Sequence, residues 1–284
     1  MKISVITPSF NSVAFIDACF RSVFEQGYPE LEYIVVDGGS TDGTVDIIRR
    51  YSDRLTSWVS EHDEGHYDAV NKGFACSTGE IMCFINSDDM LAPGSLAVVA
   101  EVFTQFPEVV WISGIPSVWD EQGKRAECGS CAPVYGRKYL LSGEHDGRIL
   151  RSVQQESCFW RRSLWDAVGG KIDARWDLAG DFDLWTRMAR HAELVGVDTV
   201  LSGNRCHPAQ RSNLQKEVYS RQMDEIGAKL GCRAWLRSKW IRRLFRLRGG
   251  WRLYGLFFPG YGPVLTREKD TEEQWIKTSR KVFG

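Results

Sequence analysis

No apolar run in this sequence approaches the ~20 residues that a membrane-spanning helix requires, which argues against a helical membrane protein. No secretory leader opens it either, because Met1-Lys2 runs straight into the strand-like Ile3-Ser4-Val5-Ile6. A cytoplasmic protein is therefore expected. A strong net charge is also missing: 36 Lys and Arg against 37 Asp and Glu leave −1, so no general affinity for nucleic acid is expected. Internal repeats and low-complexity tracts are absent. The eight cysteines are scattered, several inside apolar runs where Cys acts as a small hydrophobe, and suggest no disulfide framework. Cys128-Gly-Ser-Cys131 lacks the second thiol pair or His cluster that a structural zinc needs.

What is present is a chain of 284 residues, 43% apolar, able to bury a sizeable core. Its charge is unevenly placed. Residues 1–90 hold 6 basic against 15 acidic side chains, whereas residues 205–284 hold 18 against 7. An acidic front suits a cation-assisted site, and a basic back suits something anionic.

Hydrophobic periodicity alternates strand, helix, strand, helix. Residues 3–7 read as a buried strand, and Phe15, Ile16, Cys19, Phe20, Val23 and Phe24 follow at helical spacing. Leu31 to Val36 is a second strand, closed by Asp37-Gly38-Gly39-Ser40-Thr41-Asp42-Gly43 before another helix. A third strand near Ser57 to Glu61 leads to Asp63 and a helix with Val70 and Phe74, and a fourth, Ile81 to Ile85, ends in Asn86-Ser87-Asp88-Asp89. Residues 116–150 read as Gly-rich and irregular, and helical spacing returns at 162–168 and 182–192. This alternation predicts a parallel sheet covered by helices on both faces, with ligands bound beyond the carboxyl ends of its strands. Each polar cluster falls at such an end.

Hard oxygen ligands such as Asp88 and Asp89 suit Mg2+ or Mn2+, and such an ion can also take oxygens from two phosphates. Thr7-Pro8-Ser9-Phe10-Asn11 stops the first strand at the crevice, either as an ordinary turn or as a ligand cradle. Asp37 ends the second strand, where a carboxylate can accept the N3 hydrogen of uracil.

Taken in order, these motifs resemble the inverting glycosyltransferase family 2, whose members have the GT-A fold. The resemblance runs from Thr7-Pro8-Ser9-Phe10-Asn11 through Val36-Asp37-Gly38-Gly39-Ser40-Thr41-Asp42-Gly43-Thr44, Asp68-Ala69-Val70-Asn71-Lys72-Gly73 and Thr78-Gly79-Glu80 to Asn86-Ser87-Asp88-Asp89, and covers roughly residues 1–212. It implies a three-layer α/β/α sandwich with a mostly parallel sheet, a nucleotide-sugar donor (a UDP-sugar in this reading), and a divalent cation, Mn2+ or Mg2+. Thr7, Pro8, Phe10, Asn11, Asp37, Asp63, Asn71, Lys72, Ser87 and Asp88 are then expected at the nucleotide, with Asp37 on the uracil. The family's Asp-x-Asp motif departs from pattern here, since Asn86 replaces its first acid. Asp88, with Asp89 and His207, is expected at the metal.

Ala179-Gly180-Asp181-Phe182-Asp183-Leu184-Trp185 resembles the family's acidic motif, whose acid is the catalytic base. Asp181 matches it; Asp183 is the alternative, and a helix cap is the competing role for Asp181. Gln155 lies in a segment similar to the one before the family's acceptor helix, and Arg205 and Arg211 can add charge against phosphates. The implied activity is hexosyl or N-acetylhexosaminyl transfer to a glycan or lipid-linked acceptor, as in cell-surface polysaccharide assembly. A nucleotidyltransferase of related fold would need a Gly-rich basic loop near residues 7–14, where none is visible. A non-catalytic sugar-nucleotide-binding subunit is the rival that Asn86 favours.

Residues 213–284 read as a basic helical extension. From Arg233 to Arg252 there are eight Lys and Arg and no acid. A helical projection puts Leu236, Trp240, Leu244 and Leu247 on one side, and Lys239, Arg242, Arg243 and Arg246 on the other. Such a helix suits an anionic membrane surface, which would place the protein peripherally on the inner face of the cytoplasmic membrane.

Overall fold

The computed structural model describes residues 1–148, 150–230, 261–268 and 274–281. Its strands are β1 (Ile3–Ser9), β2 (Leu31–Asp37), β3 (Ser57–Ser60), β4 (Ile81–Phe84), β5 (Met90–Leu91), β6 (Trp111–Ser113) and β7 (Ser117–Trp119). They continue with β8 (Arg125–Cys128), β9 (Cys158–Arg161), β10 (Val195–Val197), β11 (Ser202–Arg205), β12 (Tyr261–Arg267) and β13 (Trp275–Lys281). Nine of these described strands form one sheet in the order β13-β12-β10-β6-β9-β4-β1-β2-β3. β1 runs parallel to β2 and β4, as β2 does to β3 and β10 to β6 and β12. Only β9 and β13 run against their neighbours.

Side-chain alternation along these strands explains the layers. Ile3, Val5, Tyr33, Val35, Ile81 and Cys83 point to one face, where they pack with the helices Ile16–Phe24, Thr44–Arg50 and Ser95–Gln105. Ile6, Ile34, Val36, Met82 and Phe84 point to the other, against His66–Cys76, Arg162–Ala167 and Gly180–Met188. Both faces are buried, so the strands read as continuous apolar runs. The sandwich has the three layers expected. Helix His66–Cys76 lies so close to β1 that a Cβ at Gly73 would stand 2.3 Å from Ile6 Cγ2. That approach seats the helix directly on β1.

The C-terminal residues differ from expectation. Helix Lys216–Lys229 is present, but residues 261–281 contribute strands to the main sheet, with β12 parallel to β10 and β13 antiparallel to β12. Val264, Leu265 and Trp275 are buried there, so the segment completes the core and is no detached helical extension. The basic stretch 233–252 lies outside the described residues. Residues 116–150, expected to be irregular, hold the β7–β8 hairpin and the short helix Arg137–Leu141; β7 joins a second sheet ordered β5-β11-β7-β8. No helix among the described residues is long and apolar enough to cross a membrane.

Candidate active site

The carboxyl ends of β1, β2 and β4 open into one cavity of about 1010 Å3. Its near wall comes from the turns after these strands and the start of helix His66–Cys76, and its far wall from residues 151–156, 177–181 and 204–211.

Phe10, Asn11, Gly38, His62 and Asp63 are among its lining residues. Asn11 adopts a left-handed backbone (φ 48°) and joins two turns: its N–H donates to Ser40 Oγ at 2.7 Å, and its Oδ1 accepts from Thr41 N at 3.0 Å. The strained residue is held by these bonds, and it leaves Phe10 63% exposed at the rim, where a base can stack. Asp63 Oδ1 accepts from Gly65 N at 2.9 Å. Its other oxygen lies where a Cβ on Gly38 would come within 2.6 Å, so the glycine makes room for this carboxylate.

Asp37 is placed differently from the sequence expectation. It is fully buried and does not line the cavity. Its Oδ2 accepts from Gly39 N, Ser40 N and Ser60 Oγ, and its Oδ1 from Ser40 Oγ at 2.6 Å. A carboxylate committed to four donors shapes the turn and has little left for a base. Three more expected nucleotide contacts are likewise absent from the cavity lining. Thr7 Oγ1 is buried against Tyr33 OH, Asn71 forms a double hydrogen bond with the backbone of Ile172, and Lys72 pairs with Glu61 and Asp68. Pro8, Phe10, Asn11, Asp63, Ser87 and Asp88 are the nucleotide candidates brought together.

Asp88 and His207 also line the cavity, with Asp88 Oδ2 3.0 Å from His207 Nε2. The imidazole is buried and tilted over the Phe15 ring, with centroids 4.3 Å apart. An oxygen and an imidazole nitrogen converging in this way fit one divalent ion. No group of three or more His, Cys, Asp or Glu suited to a metal occurs among the described residues, so the ion would take its other oxygens from phosphate and water. Asp89, expected as a ligand, faces away: its carboxylate is buried and accepts from Arg205 N at 2.8 Å and Asn86 Nδ2 at 3.0 Å. Burial, then the charges of Asp88 and Glu156, push this carboxyl well above the usual range. Asn86 thus supplies a donor where an acid would add another negative charge. Arg205 also lies outside the cavity lining; its buried guanidinium stands 5.2 Å over Phe15, behind the two acids. Arg211 does reach the cavity, where its Nη2 binds both oxygens of Asp177.

Asp181, also in the cavity lining, opens helix Gly180–Met188. Its Oδ1 accepts from Phe182 N at 2.8 Å and from Tyr67 OH at 3.2 Å. Burial raises its carboxyl from 3.8 to about 6, although these two bonds favour the ionised form. A carboxylate with that value, facing a cavity, is suited to take a proton near neutral pH. Asp183 does not reach the cavity: it pairs with Arg187 at 2.8 Å, whose guanidinium also binds the carbonyls of Val168 and Lys171. Gln155 lines the wall, with its amide donating to Phe84 O.

His66 and Glu156 are among the lining residues not singled out from the sequence. His66 begins helix His66–Cys76, and burial, then the Arg211 charge, lowers its pKa to about 4, which keeps the ring neutral. Glu156 is a buried carboxyl beside Gln155, raised to about 7 by burial. Both lie in segments that resemble the family, and the available signal for Glu156 was an acid beside Gln155, two residues before the apolar strand Cys158-Phe159-Trp160.

Comparison with known proteins bears on this geometry. The family described as Glycosyl transferase family 2 matches residues 4–151. The chain is 38% identical over 199 residues to a PGL/p-HBAD biosynthesis glycosyltransferase of Mycobacterium bovis, covering 68% of this chain and 71% of that protein. It is 34% identical over 115 residues to an uncharacterized glycosyltransferase of Nostoc, spanning 39% of this chain and 35% of that protein's length. Among solved structures, S. aureus TarS 1–349 with UDP-GlcNAc superposes with TM-score 0.59 at 18% identity, over 81% of this chain and 71% of that one. The mannosyltransferase PcManGT of Pyrobaculum calidifontis, with GDP-Man and Mn2+, gives TM-score 0.59 at 21% identity, over 80% and 63%. At these identities the likeness is one of fold.

Proposed function

This chain belongs to glycosyl transferase family 2, and we propose that it is an inverting transferase that moves a hexosyl or N-acetylhexosaminyl group from a UDP-sugar to a saccharide hydroxyl. Its architecture is the GT-A fold. The observation that carries the reading is one cavity lined by Asp88, His207 and Asp181, with Asp88 and His207 3.0 Å apart. A leaving diphosphate and an attacking hydroxyl need such groups on opposite sides of the sugar.

In this reading Phe10 stacks on the base, and Asp63, in place of Asp37, accepts the N3 hydrogen of uracil. Cytosine has no hydrogen there, so the same carboxylate disfavours CDP. Asp88 and His207 hold a divalent ion, Mn2+ or Mg2+, which when bound neutralises charge on the departing diphosphate. Asp181, steadied by Tyr67 and Phe182 N, takes the proton of the acceptor hydroxyl. The acceptor is a glycan or lipid-linked saccharide of a cell-surface polymer. The protein then works on the cytoplasmic side, its basic segment 233–252 resting on anionic lipid.

Calorimetry of UDP, GDP and CDP, each with Mn2+ and with EDTA, tests the donor site. Mn2+-enhanced binding of UDP is expected. Tighter binding of GDP or CDP, or indifference to EDTA, would refute this assignment.

A further inference from the structure

Glu156 lies on the 3-10 turn Gln155–Ser157, is 5% exposed, and lines the cavity. No cation pairs with it among the described residues. Its only hydrogen bond from another side chain there comes from Gln154 Nε2 to Oε1, at 2.6 Å. That bond is not what holds Gln154, whose amide already accepts from Ser117 N at 3.0 Å and donates to Ser117 O at 2.7 Å. The amide is anchored first and then fixes the carboxylate. Burying a carboxyl without a countercharge is costly, and nothing in the packing gains from it. Its surroundings supply a reason: Glu156 lies near enough to both Asp88 and Asp181 to feel their charges. In the donor reading the sugar ring passes between those two acids, and a lining carboxyl that feels both is within its reach.

We propose that Glu156 determines sugar specificity, accepting hydroxyl hydrogen bonds from the transferred ring and thereby selecting neutral sugars over sugars that carry a carboxylate. The inference rests on the donor reading above. Gln154 fixes Oε1, and a hydrogen bond from a sugar hydroxyl to a carboxylate is among the stronger kinds. A hexuronate would bury a further acid beside Asp88, Glu156 and Asp181, which acts against the wrong substrate as well as for the right one.

The test is calorimetry with Mn2+ of UDP, UDP-glucose, UDP-N-acetylglucosamine and UDP-glucuronate on the wild type, Glu156→Gln and Glu156→Ala. Thermal melting confirms that each variant folds. The wild type is expected to bind at least one neutral donor about tenfold or more tighter than UDP-glucuronate. Glu156→Gln keeps an oxygen for Gln154; it should bind UDP within about twofold of wild type, weaken the preferred neutral donor by about tenfold, and narrow the gap to UDP-glucuronate. A purely structural Glu156 would shift melting and UDP affinity together and leave the ratio between sugars unmoved; that result overturns the proposal, as does a wild type that prefers UDP-glucuronate. If Glu156→Ala does not fold, Glu156→Gln decides. Failure of the wild type to bind UDP would instead refute the donor reading, and the proposal with it.

Discussion

Replacing Asp181 by Asn should inactivate the enzyme while making the protein more stable. The two effects share one cause. In the fold the Asp181 carboxyl is raised from 3.8 to about 6, chiefly by burial, so ionising it opposes folding. The penalty is absent below about pH 4, grows as pH rises from 4 to 6, and is complete above that. A shift of this size corresponds to at most about 3 kcal/mol at pH 8, less whatever solvation the opening to the cavity restores. Asn can still accept from Phe182 N and Tyr67 OH, so the variant removes the buried charge without removing the bonds. Chemical denaturation of both proteins at pH 4 and pH 8 reads the difference: nearly equal stability at pH 4, and a gain for Asp181→Asn at pH 8. UDP release from donor should fall by about 10^2 to 10^4, as for loss of a general base. In the wild type that rate should decline as pH falls through about 6. An Asp181→Asn enzyme that stays active, or that is destabilised at pH 8, would refute the assignment and leave Asp181 a helix cap, since Asn caps about as well as Asp.

Other substitutions separate binding from bracing. Asp63→Asn should weaken UDP by about tenfold with unchanged melting, whereas Asp37→Asn should lower the melting temperature as well, because it removes the acceptor of four turn hydrogen bonds; calorimetry and thermal denaturation together distinguish them. Gly180→Ala would bring a Cβ within 2.7 Å of the Tyr67 ring, so turnover should drop while UDP affinity holds, which steady-state kinetics can read. Burial alone would raise Glu32, but Lys2, the Ser4 hydroxyl and Thr78 hold it down at about 2 against an ordinary 4.5. Its stabilisation, about 3 kcal/mol at most, is present above pH 4.5 and lost as pH falls toward 2; acid denaturation of Glu32→Gln should lack that part of the slope.

Strands β1, β2 and β4 and the turns after them were legible in the sequence, because buried parallel strands leave apolar runs and their ends leave polar clusters. The direction of a side chain within a turn was not. Asp37 and Asp63 are both acids in glycine-containing turns, and only the fold shows that Asp37 is fully buried on its own turn's N–H groups while Asp63, bonded to Gly65 N, also lines the cavity. Asn86 reads as a lost ligand until its amide is seen to donate to Asp89. β12 and β13 were missed because they pair with each other and with β10, nearly seventy residues earlier, and no local period marks them beside a basic amphipathic stretch. Asp181 could be singled out by resemblance alone; its raised carboxyl comes from burial in the folded chain, and Tyr67, which hydrogen-bonds it, lies more than a hundred residues away.

The central claim, that one cavity holds the donor at Asp88 and His207 and the proton acceptor at Asp181, is tested most directly by comparing Asp88→Asn with Asp181→Asn in one assay. Single-turnover UDP release and UDP calorimetry, both with Mn2+, should split the two. Asp88→Asn should lose the metal-dependent part of UDP binding, and Asp181→Asn should bind UDP as the wild type does yet release almost none from the sugar donor. Equal UDP affinity in both variants, or undiminished turnover in Asp181→Asn, would contradict it.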